Sequence, residues 1–166
     1  MKMIPTIFKK VITHDGIRCD LHHFDIDQFS EIPDELKLKV HAVCMHEGKM
    51  LIVNHPEWDI WSIPGGTREK GESIEETLKR EIQEETNCDV IDFVPISYQK
   101  IINPDNGNCH YRLQYLCNVV PLGEFQGDVA NNVDKIAWIE PNKFEEFIEN
   151  KEFKKMIIRR ALCFLK

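Results

Sequence analysis

Apolar residues alternate in some stretches of the chain and recur every three to four residues in others. These two periods divide it into elements. Leu36, Leu38, Val40, Ala42 and Cys44 alternate with Lys37, Lys39 and His41, a period of two that predicts a strand. Glu47-Gly48 is a turn signal, and Met50–Val53 returns as a second strand to complete a hairpin. Pro56, Pro64, Gly65 and Gly66 then punctuate a loop. A helix is predicted from Ile74 to Thr86, with Ser73 as N-cap and Glu76 three residues on, the capping-box pattern. Strands follow at about 88–94, 96–102 and 110–120; the third alternates Tyr111, Leu113, Tyr115, Cys117 and Val119 against His110, Arg112 and Gln114. Another strand fits Val133–Ile139. Asn142 with Glu145 predicts a second capped helix to about Asn150. A last helix over 152–165 carries Phe153, Ile157, Ala161 and Leu165 at spacings of four. Residues 1–35 read as an extension, with a strand at Phe8–Thr13 and a short helix near Asp27–Ser30 that ends before Pro33. Strands and helices in this order predict a layered α/β or α+β fold.

Composition narrows the class. One hundred sixty-six residues suit one domain, and 42% hydrophobic against 30% charged residues excludes a disordered or low-complexity chain. A chain of this size buries about 70% of its unfolded surface, enough for a sizeable core. No apolar run reaches membrane-spanning length, and Met1–Lys10 lacks the apolar stretch of a signal peptide. Cysteines at 19, 44, 88, 109, 117 and 163 are scattered without a C-x-x-C pair, so a reduced, cytoplasmic protein is expected. Structural zinc at His22-His23 is not expected, because the ligand spacing is missing. The net charge of −7 argues against DNA and anionic membranes as partners. Six basic groups and one acid give residues 151–166 a charge of +5, which leaves −12 elsewhere; a solvated helix face accounts for them better than a nucleic-acid tail. An acidic protein acts on an acidic substrate when a divalent cation bridges the two.

The helix over 74–86 offers such a site. At 100° per residue, Glu81, Glu84 and Glu85 share an arc of about 100°, beside an apolar stripe of Ile74, Leu78 and Ile82. By local rules this is a poor arrangement. Glu81 and Glu85 are a like-charge pair four residues apart, costing about 0.2–0.5 kcal/mol. Glu84 and Glu85 also lie in the last turn, where the helix dipole disfavours negative charge. Either the acids form a solvated face, or a cation resolves the conflict. Ligands that are all oxygen point to Mg²⁺ or Mn²⁺ rather than zinc.

The flanking residues decide between these. Gly66-Thr-Arg-Glu-Lys-Gly-Glu72, seven further residues, then Arg80-Glu81-Ile82-Gln83-Glu84-Glu85-Thr86-Asn87-Cys88 resembles the Nudix box, G-x5-E-x7-R-E-U-x-E-E-x-G-U with U bulky and apolar. Trp61-Ser-Ile-Pro-Gly-Gly66 resembles the family's usual approach to that box, and the element order is similar over roughly 36–150. Two positions depart. Asn87 replaces the usual Gly, and Cys88 is a small apolar residue at the final U. Asn is the non-Gly residue best suited to a left-handed helix exit, so the same backbone path is expected.

The resemblance implies an α/β fold, a Nudix-like α/β/α sandwich with a mixed sheet, in one domain with residues 1–35 as an extension and 151–166 as a C-terminal helix. It implies that the Gly66 carbonyl, Glu81, Glu84 and Glu85 hold one to three Mg²⁺ or Mn²⁺ ions. Arg80 and Glu72 are implied as a salt bridge that fixes the loop to the helix. The implied reaction is hydrolysis of a diphosphate linkage in a small nucleotide, of ADP-ribose, nucleotide-sugar or nucleoside triphosphate type. Its proton acceptor is Glu85 or a later acid, Glu124, Asp128 or Asp134. Trp58, Tyr98, Tyr111 and Tyr115 are candidates to stack on a base, though packing explains each as well; Arg68 and Arg112 are candidates to hold phosphate. Pro104 resembles a feature of members that act on ADP-ribose. Two other readings stay open: a Nudix-fold isoprenyl-diphosphate isomerase, which needs a placed cysteine, and a non-catalytic module that binds nucleotide or RNA. An RNA 5′ end is a less expected substrate than a small nucleotide, and a homodimer is one use of the terminal segments.

Overall fold

The structure, a computed structural model, describes residues 7–12, 16–149 and 152–166. Thr13 and Asn150, which end two of the predicted elements, lie outside them. Among the described residues, nine strands form one mixed sheet: β1 (Ile7–Ile12), β2 (Arg18–Phe24), β3 (Lys37–His46), β4 (Lys49–His55), β5 (Ile60–Ser62), β6 (Gly65–Thr67), β7 (Cys88–Ile102), β8 (Cys109–Pro121) and β9 (Lys135–Ile139). The helices are α1 (Ile74–Thr86), α2 (Phe144–Phe147) and α3 (Glu152–Cys163). The strands run in the order β1-β2-β7-β8-β3-β4-β5, with β6 on β3 and β9 on β4. The β3–β8 pair is parallel and the others are antiparallel.

Alternation along the central strands sends side chains to two layers. Val40, Ala42 and Cys44 of β3 and Leu113, Tyr115 and Cys117 of β8 meet Leu78 and Ile82 of α1. Val43 and Met45 of β3 and Leu116 of β8 meet Ile157, Ile158 and Ala161 of α3 on the other face. Helices on both faces of a mixed sheet make the α/β/α sandwich.

Several expectations change. Residues 27–30 are irregular rather than helical; a 3-10 turn forms instead at Asp34–Leu36, just after Pro33, where proline's fixed φ suits a helix start. The extension carries a second strand, β2, and β2 pairs with β7, so the sheet continues through these residues. The two strands expected at 88–94 and 96–102 are one strand. Pro95, which has no N–H to donate, is absorbed at a register shift between Pro95 and Ser97. Asn142 does not cap a helix. It sits inside a 3-10 turn, Pro141–Lys143, and α2 is a single turn without a side-chain cap. The loop after Pro56 contains β5 and β6. Among the described residues, no helix is long and apolar enough to cross a membrane.

At the end of α1, Asn87 is left-handed (φ 53°, ψ 38°) and its N–H bonds back to the Gln83 carbonyl. Its side-chain amide also donates to the Glu124 carbonyl at 3.2 Å. Asn87→Gly therefore relieves a backbone penalty and loses one exposed hydrogen bond of about 0.5–1.5 kcal/mol. The melting temperature is expected to stay within about 3 °C of wild type. A larger loss in a thermal melt would mean that the side-chain bond, not the backbone, sets this exit.

Candidate active site

Helix α1 starts where Ser73 and Glu76 close a capping box: the Glu76 N–H donates to Ser73 Oγ at 3.1 Å, and the Ser73 N–H to Glu76 Oε2 at 2.7 Å. Leu78 and Ile82 then fix the helix on the sheet, and Glu81, Glu84 and Glu85 fall along its edge beside β6. The β6 strand is held on β3 through Lys39↔Thr67, Val40↔Gly66 and His41↔Gly65. This pairing brings two consecutive glycines against the carboxylates. The Gly65 N–H donates to Glu85 Oε2 at 2.9 Å. At Gly66 a Cβ would overlap the Glu81 carboxylate, so only glycine allows that approach.

Arg80 joins the loop before α1 to the acidic edge. Its Nε and Nη2 donate to the two oxygens of Glu72 at 2.5 and 3.0 Å, a two-pronged ion pair. Nη2 also reaches the Thr67 carbonyl at 3.1 Å, and Nη1 bonds Glu81 at 3.0 Å and Glu84 at 3.2 Å. Glu72 further accepts from the Glu69 N–H and from Thr77 Oγ1, both at 3.0 Å. One guanidinium thus fixes the loop, the end of β6 and two carboxylates at once.

The carboxylates differ in environment. Glu72 is held down at about 2, chiefly by its hydrogen bond from Arg80. Glu85 is only 5% exposed, and burial pushes it up to about 8; the Gly65 N–H opposes the rise, while nearby Glu81 and Asp128 add to it. Burial also raises Glu81, against the pull of Arg80. The edge beside β6 therefore gathers more buried carboxyl groups than its own cations balance, and Glu85 keeps its proton up to about pH 8.

A divalent cation fits that surplus in kind, because the donors are all oxygen and Gly66 leaves the space for close approach. Among the described residues, no three His, Cys, Asp or Glu side chains already converge at metal-binding spacing. The Arg80 guanidinium instead lies between Glu81 and Glu84.

The depressed Glu72 predicts a pH dependence. Its stabilisation relative to Glu72→Gln is fully present above the ordinary carboxylate value of 4.5 and is lost as pH falls toward about 2. Denaturant melts of both proteins from pH 7 to pH 2 are expected to converge at the acid end. A constant gap would mean that the ion pair contributes nothing to this interval.

The remaining candidates are scattered. Asp128 is buried close enough to Glu85 to raise it, but both its oxygens already accept backbone N–H groups, from Ala130 at 3.0 Å and Asn132 at 3.1 Å. Glu124 meets the site through its carbonyl, on Asn87. Asp134 lies 3.7 Å from Lys135. Arg68 is tied to Asp34 Oδ2 at 2.8 Å and to the Glu72 carbonyl at 2.6 Å, bracing the loop. Tyr98 is a core ring, stacked on Phe24 at 4.7 Å, and Tyr115 lies in the same layer. Trp58 is half exposed at the β4–β5 turn beside His55. Arg112 projects from β8 to the α3 face. Asp128, which shares Glu85's surroundings through a loop, has no local sequence pattern that marks it.

The NUDIX domain family model matches residues 36–161. The chain belongs to the NUDIX family. The m7GpppN-mRNA hydrolase of Saccharomyces cerevisiae strain S288c is 26% identical over 163 residues, 98% of this NUDIX chain. The putative nudix hydrolase 1 of Caenorhabditis elegans is 38% identical over 61 residues, 36% of this chain. The chain spans 16% and 15% of the length of these two proteins. Among solved structures, its fold is similar to the Bacillus subtilis pyrophosphohydrolase BsRppH, with a TM-score of 0.65, 22% identity and 95% of each chain covered. It is also similar to a NUDIX hydrolase from Nitrosomonas europaea, with a TM-score of 0.63, 21% identity and 76% and 88% of the two chains covered.

Proposed function

We propose that this NUDIX chain is a metal-dependent hydrolase that cleaves the diphosphate linkage of a nucleoside diphosphate derivative. The observation that carries this is the edge of α1 seated on the Gly65–Gly66 strand, where buried carboxyl groups outnumber the cations beside them. Gly66, Glu81, Glu84 and Glu85 would hold Mg²⁺ or Mn²⁺, which when bound supplies neutralisation of phosphate oxygens and acidification of water. Glu85, buried and braced by the Gly65 N–H, takes the proton of the attacking water. Arg80 and Glu72 keep β6 and α1 in register, so that the phosphorus and the acceptor meet at a fixed distance. A reducing, cytoplasmic setting belongs to this reading, on the scattered cysteines of the sequence.

The isomerase reading needs a cysteine placed at the site. Cys88, the last residue of the box, is buried and donates its S–H to the Thr86 carbonyl. A non-catalytic binding module has no use for three carboxylates at one glycine strand. One observation favours a second substrate reading, the capped 5′ end of RNA: the likeness to the m7GpppN-mRNA hydrolase runs over 98% of the chain, beyond the family match.

A substrate panel tests the proposal: nucleotide sugars, ADP-ribose, dinucleoside polyphosphates, nucleoside triphosphates, 5′-triphosphate RNA and capped RNA, each with Mg²⁺ and with Mn²⁺. Release of nucleoside monophosphate or diphosphate, or of phosphate or pyrophosphate from 5′-triphosphate RNA, in one class supports it. Saturable binding of these ligands with no turnover in any arm would assign the chain to the binding modules.

A further inference from the structure

The α3 face of the sheet is not uniformly apolar. One apolar cluster holds Val43, Ile96 and Leu116 under Ile157 and Ile158; another holds Cys19, Leu21 and Ile101 beside Phe153. Between them runs a polar band in register across the strands. His23 of β2 pairs with Gln99 of β7, Gln99 with Arg112 of β8, and Arg112 with Lys39 of β3. In the next row Ser97 pairs with Gln114 and Gln114 with His41, and His41 pairs with Gly65 of β6. Directly paired side chains share a face. Ser97 Oγ indeed lies 3.0 Å from Gln114 Oε1, and Gln99 Nε2 lies 3.5 Å from His23 Nδ1.

Burying polar groups is costly unless each finds a partner. His23, Ser97, Gln99 and Gln114 are buried, while Lys39, His41, His110 and Arg112 are half-buried, so the band opens to solvent along its basic side. Arg112 stands out among the charged groups of the band. Its Nε is fully enclosed and has no hydrogen-bond partner among the described residues. Burial lowers its pKa, and Cys19 opposes this; burial also lowers His110, with Arg112 and Lys39 adding to the fall. A desolvated guanidinium beside other bases, with no carboxylate among the described residues acting on it, is arranged for an anion from outside.

The band leads to the carboxylate edge. Its second row ends at Gly65, whose N–H holds Glu85, and Lys154 of α3 reaches Glu85 electrostatically from the same face. Two strands across and two residues along place Arg112 roughly 12 Å from Gly65.

We propose that Arg112, with Lys39 beside it, anchors a phosphate of the substrate that lies beyond the linkage being cut. This rests on the reading of the α1 edge as the hydrolytic centre. It narrows the substrate class to nucleotides that carry an anionic group past the cleaved diphosphate, and Gln114 and His41 lie in the row between Arg112 and Gly65.

The test needs neither turnover nor a metal, so it stands apart from hydrolysis. Inorganic phosphate is titrated into the full chain in excess chelator, followed by amide NMR. Saturable shifts are expected at Lys39, Gln99 and Arg112. Arg112→Met is expected to weaken them by about tenfold or more, and Arg112→Lys to restore part of the affinity. Thermal melts without phosphate give a second readout. An unliganded Arg112→Met is expected to melt at or above the wild-type temperature, because it removes a buried charge without a partner. Absent shifts, shifts unchanged in Arg112→Met, or a clear loss of melting temperature or failure to fold in that variant would overturn the assignment and make Arg112 a structural residue.

Discussion

Glu85→Gln is expected to lower turnover by about 10²–10³-fold, the scale of losing one group that stabilises the transition state. The substitution keeps the shape, and the amide oxygen still accepts from the Gly65 N–H. What it removes is the buried ionisable group and with it the proton acceptor. Its effect on stability depends on pH and metal. Glu85 titrates near 8 in the folded chain against an ordinary 4.5, so the folded state holds a proton that the unfolded state has released. Wild-type stability in chelator therefore falls as pH rises from about 4.5 through 8, and the glutamine variant lacks that fall. At pH 9 without metal the variant is expected to melt a few degrees above wild type. Saturating Mg²⁺ narrows or inverts the order, because the wild type gains binding energy that the variant lacks. A solvated acid would give unchanged turnover and parallel melts.

Gly66→Ala is expected to lower turnover by about 10²-fold, with a stability loss of only about 1–3 kcal/mol. The added methyl would overlap the Glu81 carboxylate, which is the end of a flexible side chain, so the carboxylate yields and the strand stays. Gly65→Ala provides the contrast. There the methyl would meet the Val40 carbonyl and the His41 Cα, backbone that cannot yield, so the β3–β6 pairing is lost with the fold. Turnover and denaturant melts of both variants check this. Equal stability losses would mean that Gly66 serves the strand and not the carboxylate.

The features legible in the sequence are the local ones. Helix α1 spans the predicted Ile74–Thr86 because its start, Ser73 with Glu76, and its stop, Asn87, are decided within a few residues. The hairpin at Glu47-Gly48 is legible for the same reason, since both residues take positive φ. Strand β6 is not. Gly-Gly-Thr reads as a loop, and only pairing with β3, some 26 residues earlier, makes it a strand. Strand β2 escaped because its buried face, Cys19, Leu21 and His23, includes a histidine that reads as polar. The box motif marked Glu72 and Arg80 together, but Arg80's bond to the Thr67 carbonyl depends on β6 and so carries no sequence signature. The row from His23 through Gln99 and Arg112 to Lys39 comes from four strands far apart in the chain, and it exists only once the sheet is assembled.

The central claim is that the α1 edge hydrolyses a diphosphate linkage only with a divalent cation. The most direct measurement follows one substrate from the panel with the purified chain in excess chelator, then after Mg²⁺ or Mn²⁺ is restored, beside Glu85→Gln. Turnover that is absent in chelator, returns with the cation and stays at least about 10²-fold lower in the variant is the predicted result. Full turnover in chelator, or equal turnover in the two proteins, would contradict it.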